Sequence, residues 1–131
     1  MKYLVDSDYV ADYLVAKPHA TELLSSFAKD GITISLVTVG EIYEGIYYGY
    51  NPQQGEERFQ RFLDSVNILR PTPAIMQQFA RIRGDLRRKG QIIGDFDILI
   101  AAITLHHNLT LVTRNLKDYQ RIPQLKLYQA S

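Results

Sequence analysis

Apolar residues fall along this chain in two alternating rhythms: short continuous runs, and longer stretches spaced three and four apart. The run KYLV, residues 2–5, reads as a strand that stops at Asp6, and SDYVADYLVAK carries apolar positions at helical spacing until Pro18. A second helix is predicted over 18–31, with Pro18 at its start and Gly31 beyond its end. ITISLVT, 32–38, reads as the next strand, and TVGEIYEGIYYGY, 38–50, as a helix with Thr38 as its cap. Residues 51–66 open on a turn and become a helix, NILRPT at 67–72 reads as a short strand, and 73–90 form a long amphipathic helix. Its apolar face is Ile75, Phe79, Ile82 and Leu86. DFDILIAAITLHHN, 95–108, is apolar almost all round, the mark of a helix buried against a sheet. LTLVT, 109–113, reads as a strand, RNLKDYQRI as a short helical turn and LKLYQ, 125–129, as a final edge strand.

Strands that alternate with helices predict an α/β fold, a mainly parallel central sheet with helices on both faces. In such sheets ligands bind beyond the carboxyl ends of the strands. The 131 residues fit a single domain, 1–131, large enough to bury about two-thirds of its unfolded surface. A hydrophobic fraction of 46% with 22% charged residues is that of an ordinary globular protein. Zero cysteines exclude disulfides and thiolate metal sites, which suits a reducing cytoplasm. Asp6 interrupts the first apolar run, so no signal peptide is read there, and no stretch reaches membrane-spanning length. The expectation is a soluble, unprocessed, cytoplasmic protein without membrane contact. A net charge of +1 supplies no overall field for nucleic acid, so local patches must carry any such role.

The alternation gives the acids a geometry. Asp6 follows the first strand, Glu41 lies on the first turn after ITISLVT, Asp97 opens the helix before LTLVT, and Asp118 lies just after that strand. These four would meet at one edge of the sheet, where mutual repulsion drives carboxylates towards protonation unless a cation is present. Mg²⁺ answers that need, because it takes oxygen ligands, keeps several waters and binds through one or two carboxylates with substrate phosphate. Each acid also has a plainer use. Asp95 reads as a helix cap; Asp97 gains from the helix dipole as well as from a metal; Glu41 completes a capping box with Thr38; Asp118 serves equally as a solvated acid. Asp6 is hardest to explain structurally, since an ionisable group right after an apolar strand is costly without a partner.

Together, YLVDSDYVADYL, TVGEIYEGI, IIGDFDILIAA and LTLVTRNLKDY resemble the PIN-domain nucleases, in particular the VapC type of toxin from toxin–antitoxin pairs. The resemblance covers nearly the whole chain in order. It implies a PIN-like α/β/α sandwich whose acidic pocket binds Mg²⁺ or Mn²⁺ and hydrolyses RNA. Position by position, the family's first acid falls on Asp6, its second on Glu41 and its third on Asp97, not Asp95. The variable fourth position falls at Asn115, so either its amide oxygen contributes or Asp118 supplies the charge. In the mechanism this implies, Asp6 and Asp97 hold the principal ion, joined by Asp118 if a second site forms. Glu41 orients or deprotonates the attacking water, and the products are a 5′-phosphate and a 3′-hydroxyl. Thr38 resembles the small hydroxyl residue before the family's glutamate and would orient a ligand or water. The partners implied are RNA and a cognate antitoxin, with a homodimer whose apolar grooves accept an antitoxin segment.

Arg87 and Arg88, with Arg81, Arg83 and Lys89, gather at one helix end, where they would grip RNA phosphates or simply favour the helix dipole. Arg114 lies beside the pocket and is a candidate for a phosphate contact or for pairing with an acid. Tyr43, Tyr47 and Tyr50 share a helical stripe that reads as core or interface. His106 and His107 are adjacent and face different ways, and His19 suggests no role. Two competing readings remain. DSD at 6–8 fits a haloacid-dehalogenase-like phosphatase with Asp6 as nucleophile, although the chain is short for that fold, no well-spaced lysine precedes GDFD, and Glu41 has no role in it. The other is a non-catalytic α/β module that binds RNA or protein, its acids serving as caps.

Overall fold

The computed structural model describes residues 1–129. In chain order it runs β1 (Tyr3–Val5), α1 (Ser7–Leu14), α2 (Pro18–Ser26), β2 (Ile32–Ser35), α3 (Leu36–Tyr47), α4 (Pro52–Leu63), β3 (Val66–Leu69), α5 (Pro73–Arg88), α6 (Asp95–His106), β4 (Thr110–Val112), α7 (Leu116–Tyr119) and β5 (Lys126–Leu127). The strands form one sheet in the order β3-β2-β1-β4-β5, parallel throughout. The sequence predicts a mainly parallel sheet, and its short strand and its final strand occupy the two edges.

The two-residue period of a strand divides the sheet's apolar residues between two cores. Leu4 and Leu111 face a cluster built with Ile75 and Leu86 of α5 and Ile98, Ile100 and Ile103 of α6. Val5, Ile34 and Val112 face the opposite way, onto Val10, Leu24, Ile42, Phe59 and Phe62 from α1, α2, α3 and α4. The result is the α/β/α sandwich. α6 is apolar all round because it lies under α5 and against the sheet at once: Ile98, Ile100, Ala101, Ala102 and Ile103 are all buried. The four residues read as the inner face of α5 do pack inward, Ile75 and Leu86 fully and Phe79 and Ile82 in part.

Side chains set several of the helix starts. Thr72 Oγ1 accepts from the Ile75 amide at 3.3 Å and Asn51 Oδ1 from the Gln54 amide at 3.2 Å, each followed by a proline in the first turn. Two of the sequence readings are corrected. The cap of α3 is Ser35, whose Oγ accepts from the Val37 amide at 2.9 Å, so β2 ends three residues earlier than expected and Thr38 lies inside the helix. No capping box joins Thr38 to Glu41. α3 also ends at Tyr47, which leaves Tyr50 off the tyrosine stripe and fully exposed, while Tyr43 stacks on Tyr47 at 5.6 Å. Ser35→Ala should therefore lower stability by about 1 kcal/mol, read from denaturant midpoints, the usual worth of a cap.

α5 is closed off by Gly90, two residues past its end, with φ of +70°, where the Gln91 amide returns to the Leu86 carbonyl at 2.8 Å and the Gly90 amide to that of Arg87 at 3.0 Å. This is a Schellman closure, which needs a residue at ease in the left-handed region. It turns the chain back so that α6 starts beside the end of α5.

Candidate active site

From β1 the chain steps to β2 and β3 on one side, and later places β4 and β5 on the other, so the strand order reverses between β1 and β4. The crevice beyond the carboxyl ends of such a pair is where an open α/β sheet takes its ligand. Asp6 and Thr113 follow these two strands directly. Thr113 Oγ1 donates across the seam to Asp6 Oδ2 at 2.8 Å, and the Asp6 amide donates to the Val112 carbonyl at 2.9 Å. Asp6 Oδ1 accepts from the Ser7 amide at 2.8 Å, so a carboxylate only 5% exposed also caps α1. Asp8 Oδ2 accepts the Arg114 amide at 2.8 Å, tying the loop after β4 to the start of α1.

Two further acids enter from helices. Glu41, on α3, accepts from Ser7 Oγ at 2.6 Å through Oε1, and Ser7 Oγ lies 3.1 Å from the buried Thr38 Oγ1. Asp97, in the first turn of α6, accepts from the Tyr119 hydroxyl at 3.2 Å through Oδ1. Glu41 and Asp97 line one open cleft of about 480 Å³ with Gly94, Asp95 and Phe96.

Burial is the first cause that moves these groups. It pushes Asp6 up to about 7, with Asp8 and Asp97 adding to the rise and the bonds from Thr113 and Ser7 opposing it. Burial likewise raises Glu41, against the Ser7 bond and with help from Asp97, and raises Asp97, against the Tyr119 bond and with help from Asp118 and Asp8. Tyr119, wholly buried beneath the acids, has its own ionisation pushed far upward by burial and by Asp6 and Asp97, which keeps its hydroxyl a donor.

The acids expected to meet thus share one electrostatic site. Asp118 is close enough to raise Asp97, and it accepts from Asn115 Nδ2 at 3.3 Å while pairing with Arg121 at 3.6 Å. The two candidates for the fourth position are therefore bonded to each other. Asp95 departs from expectation: the cap position of α6 is Gly94, with no side-chain cap bond, and Asp95 instead accepts from Arg83 Nε at 2.6 Å and Nη2 at 3.4 Å. That pairing holds its carboxyl below the usual range. Arg114 takes the acid-pairing alternative, its guanidinium 3.4 Å from the buried Asp12. His19 has a partner after all, with Nε2 2.9 Å from the same carboxylate, and Lys17 approaches it at 3.4 Å. Burial works to raise Asp12, and these basic neighbours hold it lower than usual. Arg87 and Arg88 are exposed at the end of α5, with Arg87 facing Asp95 closely enough to lower it.

Sequence reading assigned no part in the site to Ser7, Thr113 or Tyr119. Asp8 was visible only as the second acid of DSD.

The donor set fits a hard divalent cation. It is oxygen throughout, it draws on acids from separate elements, and three of them are raised by burial and by one another, a cost that a cation among them reverses. Among the described residues, no three His, Cys, Asp or Glu side chains stand together as a ready-made cage. Mg²⁺ needs none, since one or two carboxylates and its own waters suffice.

A family model described as PIN domain matches residues 3–125. The chain is 30% identical over 128 residues to Ribonuclease VapC2 of Haemophilus influenzae, covering 96% of each. It is 24% identical over 126 residues to the tRNA(fMet)-specific endonuclease VapC of Shigella flexneri, again over 96% of each. Among solved structures, a chain in the crystal structure of VapBC2 from Rickettsia felis bound to a DNA fragment from their promoter superposes with a TM-score of 0.91. It is 28% identical, with 100% of both chains covered.

Proposed function

The chain belongs to the PIN-domain family as a ribonuclease of the VapC kind, and on that premise we propose that it is the toxin of a toxin–antitoxin pair, an Mg²⁺- or Mn²⁺-dependent endoribonuclease whose chemistry rests on Asp6, Glu41 and Asp97. This displaces the phosphatase reading, in which Asp6 attacks phosphate and Glu41 has no role: the family model and the ribonuclease relatives match nearly the whole chain. It also displaces the non-catalytic module.

The observation that carries the assignment is the convergence of carboxyls raised by burial and by one another, at the point where the sheet order reverses. Asp6 and Asp97 would hold the cation, Asp6 oriented by Thr113 and Asp97 by Tyr119. Asp118 stands behind Asp97 and would add charge if a second ion binds. When bound, the cation acidifies a water and neutralises charge on the attacked phosphodiester. Glu41 is steered by Ser7, itself backed by Thr38, so that Oε1 is engaged and Oε2 is left to orient the attacking water and receive its proton. Asn115 and the exposed Arg87 and Arg88 would meet the RNA backbone as it enters and leaves, while Arg114 stays with Asp12.

The antitoxin has a natural seat in the groove between α1, α3 and α4. About 450 Å³ in volume, it is lined by Ala11, Leu14, Val15 and Ile46 and opens on Ser7, Asp8 and Glu41, so a segment lying in it would reach the acids. A homodimer in the cytoplasm completes this reading. Among the described residues, no helix is long and apolar enough to cross a membrane.

The test is cleavage of total cellular RNA, and then of isolated initiator tRNA, by purified protein with Mg²⁺, Mn²⁺ or chelator, run beside Asp6→Asn. Metal-dependent cleavage absent from the variant is expected. Cleavage that survives both the chelator and the substitution would remove the acids from the chemistry.

A further inference from the structure

Phe96 has no part in the chemistry so far assigned. It stands between Asp95 and Asp97 in the first turn of α6, lines the same cleft as Glu41 and Asp97, and is 59% exposed. On the same helix Ile98, Ile100 and Ile103 are buried at 2%, 0% and 0%. α6 thus buries its core residues and leaves one large ring in the acid cleft. Among the described residues the ring joins none of the aromatic pairs, whereas Tyr43, Tyr47, Phe59 and Phe62 pack in a chain, stacked or edge to face.

The cleft around the ring is lined by Glu41, Asp95 and Asp97, so it takes a polyanion only with a cation among the acids, as the nuclease reading has it. Asp97 and Glu41 lie where a phosphodiester must sit for the acids to act on it. Asp95, on the other side of the ring, would repel the neighbouring phosphate, but Arg83 neutralises it through two bonds and Arg87 adds a further positive field. An aromatic face beside a cleft for a phosphodiester, with arginines behind it, is the arrangement that holds a single-stranded nucleotide by its base. A hydrophobic side chain of a protein partner is the other candidate occupant. The apolar groove between α1, α3 and α4 runs to Glu41 without including Phe96 in its lining, which favours the nucleobase.

We propose that Phe96 is a stacking platform for a nucleobase flanking the scissile phosphodiester, a positioning residue that fixes the register of single-stranded RNA at the acids. The proposal rests on the nuclease reading of those acids. A base held in a duplex cannot turn its face onto the ring, so the platform selects unpaired RNA and tolerates any base.

Phe96→Ala and Phe96→Leu are compared with wild type on a short single-stranded RNA. Both should raise KM about tenfold, the size of one base–aromatic stack, with kcat nearly kept, and Phe96→Trp should restore the wild-type KM. Leucine separates stacking from simple apolar filling. The chain has no tryptophan, so Phe96→Trp also places a single indole in the cleft. Combined with Asp97→Asn to prevent cleavage, its fluorescence should be quenched by the RNA and not by the same backbone lacking bases. Wild-type KM in the alanine and leucine variants, or an indole indifferent to RNA or equally responsive to the baseless strand, overturns the proposal, and a ring that belongs to a protein partner gives that result. Failure of the wild type to cleave RNA would instead count against the nuclease reading, and the binding signal still decides for or against the platform.

Discussion

Asp97→Asn should lower RNA cleavage by roughly a thousand-fold, the loss expected when a charged ligand to a catalytic cation becomes neutral, while Asp95→Asn, two residues away, should leave the rate within a few-fold of wild type. Asp97 faces the cleft, is partly buried, and takes the Tyr119 hydroxyl on Oδ1, a bond that an asparagine oxygen can still accept. Its carboxyl is already raised by burial, so replacing it with a neutral amide should not weaken the fold. Asp95 is more than half exposed and committed to Arg83. Substituting it loosens an exposed pair, of little worth to stability, and adds no new charge to the cleft. Single-turnover cleavage at saturating Mg²⁺, alongside denaturant midpoints for both variants, separates the two acids. An equal loss of activity in both would mean that Asp95 shares the chemistry.

In metal-free solution, stability should fall by on the order of 2–4 kcal/mol as pH rises from about 4 to about 8. Asp6 moves from an ordinary 3.8 in the unfolded chain to about 7 in the folded one. Between those values the folded state binds the extra proton, so raising the pH favours the unfolded state until Asp6 has ionised in both. Glu41 and Asp97 are raised too and act in the same direction, whereas Asp12 is lowered and acts only at the acid end. Asp6→Asn should flatten much of the slope, because a neutral amide cannot titrate. Mg²⁺ should restore stability at pH 8 and do little at pH 5, since a cation binds the ionised carboxyls and competes with protons for them. Urea midpoints at several pH values, with Mg²⁺ and with chelator, read all of this without an RNA substrate. A stability that rises through the same window in chelator would contradict the buried, mutually repelling arrangement.

Much of this architecture can be read from the one-dimensional pattern, for identifiable reasons. The inner face of α5 and the all-round burial of α6 follow from period and hydrophobicity, which act within a single segment. Asp6 and Asp97 can be placed at one edge because one follows a strand and the other lies in the first turn of a helix, positions that chain order alone brings together in a parallel sheet; Glu41 lies a turn deeper in α3 than the sequence reading had it and still faces the same cleft. What escapes the pattern is contact between distant segments. Thr113 reaches Asp6 across 107 positions, and Ser7 reaches Glu41 across 34, with nothing local in either to mark the bond. The misplaced cap of α3 has a different origin: ITISLVT offers three hydroxyl residues, Thr33, Ser35 and Thr38, and reads as one strand from end to end. Periodicity does not choose between Ser35 and Thr38. Asp95 misled for a similar reason, since its salt bridge to Arg83 spans two helices whereas its capping signal is local.

The amide of Asp6, tied to the Val112 carbonyl, lies in the central seam of the sheet with a core on each face. Backbone so placed belongs to the last cooperative unit to open, unlike frayed termini and loops, whose amides exchange with solvent through small local fluctuations. Its hydrogen can exchange only when the seam itself parts. The Asp6 side of the candidate site should therefore persist through local openings elsewhere in the chain, and its working life should be set by the stability of the whole molecule.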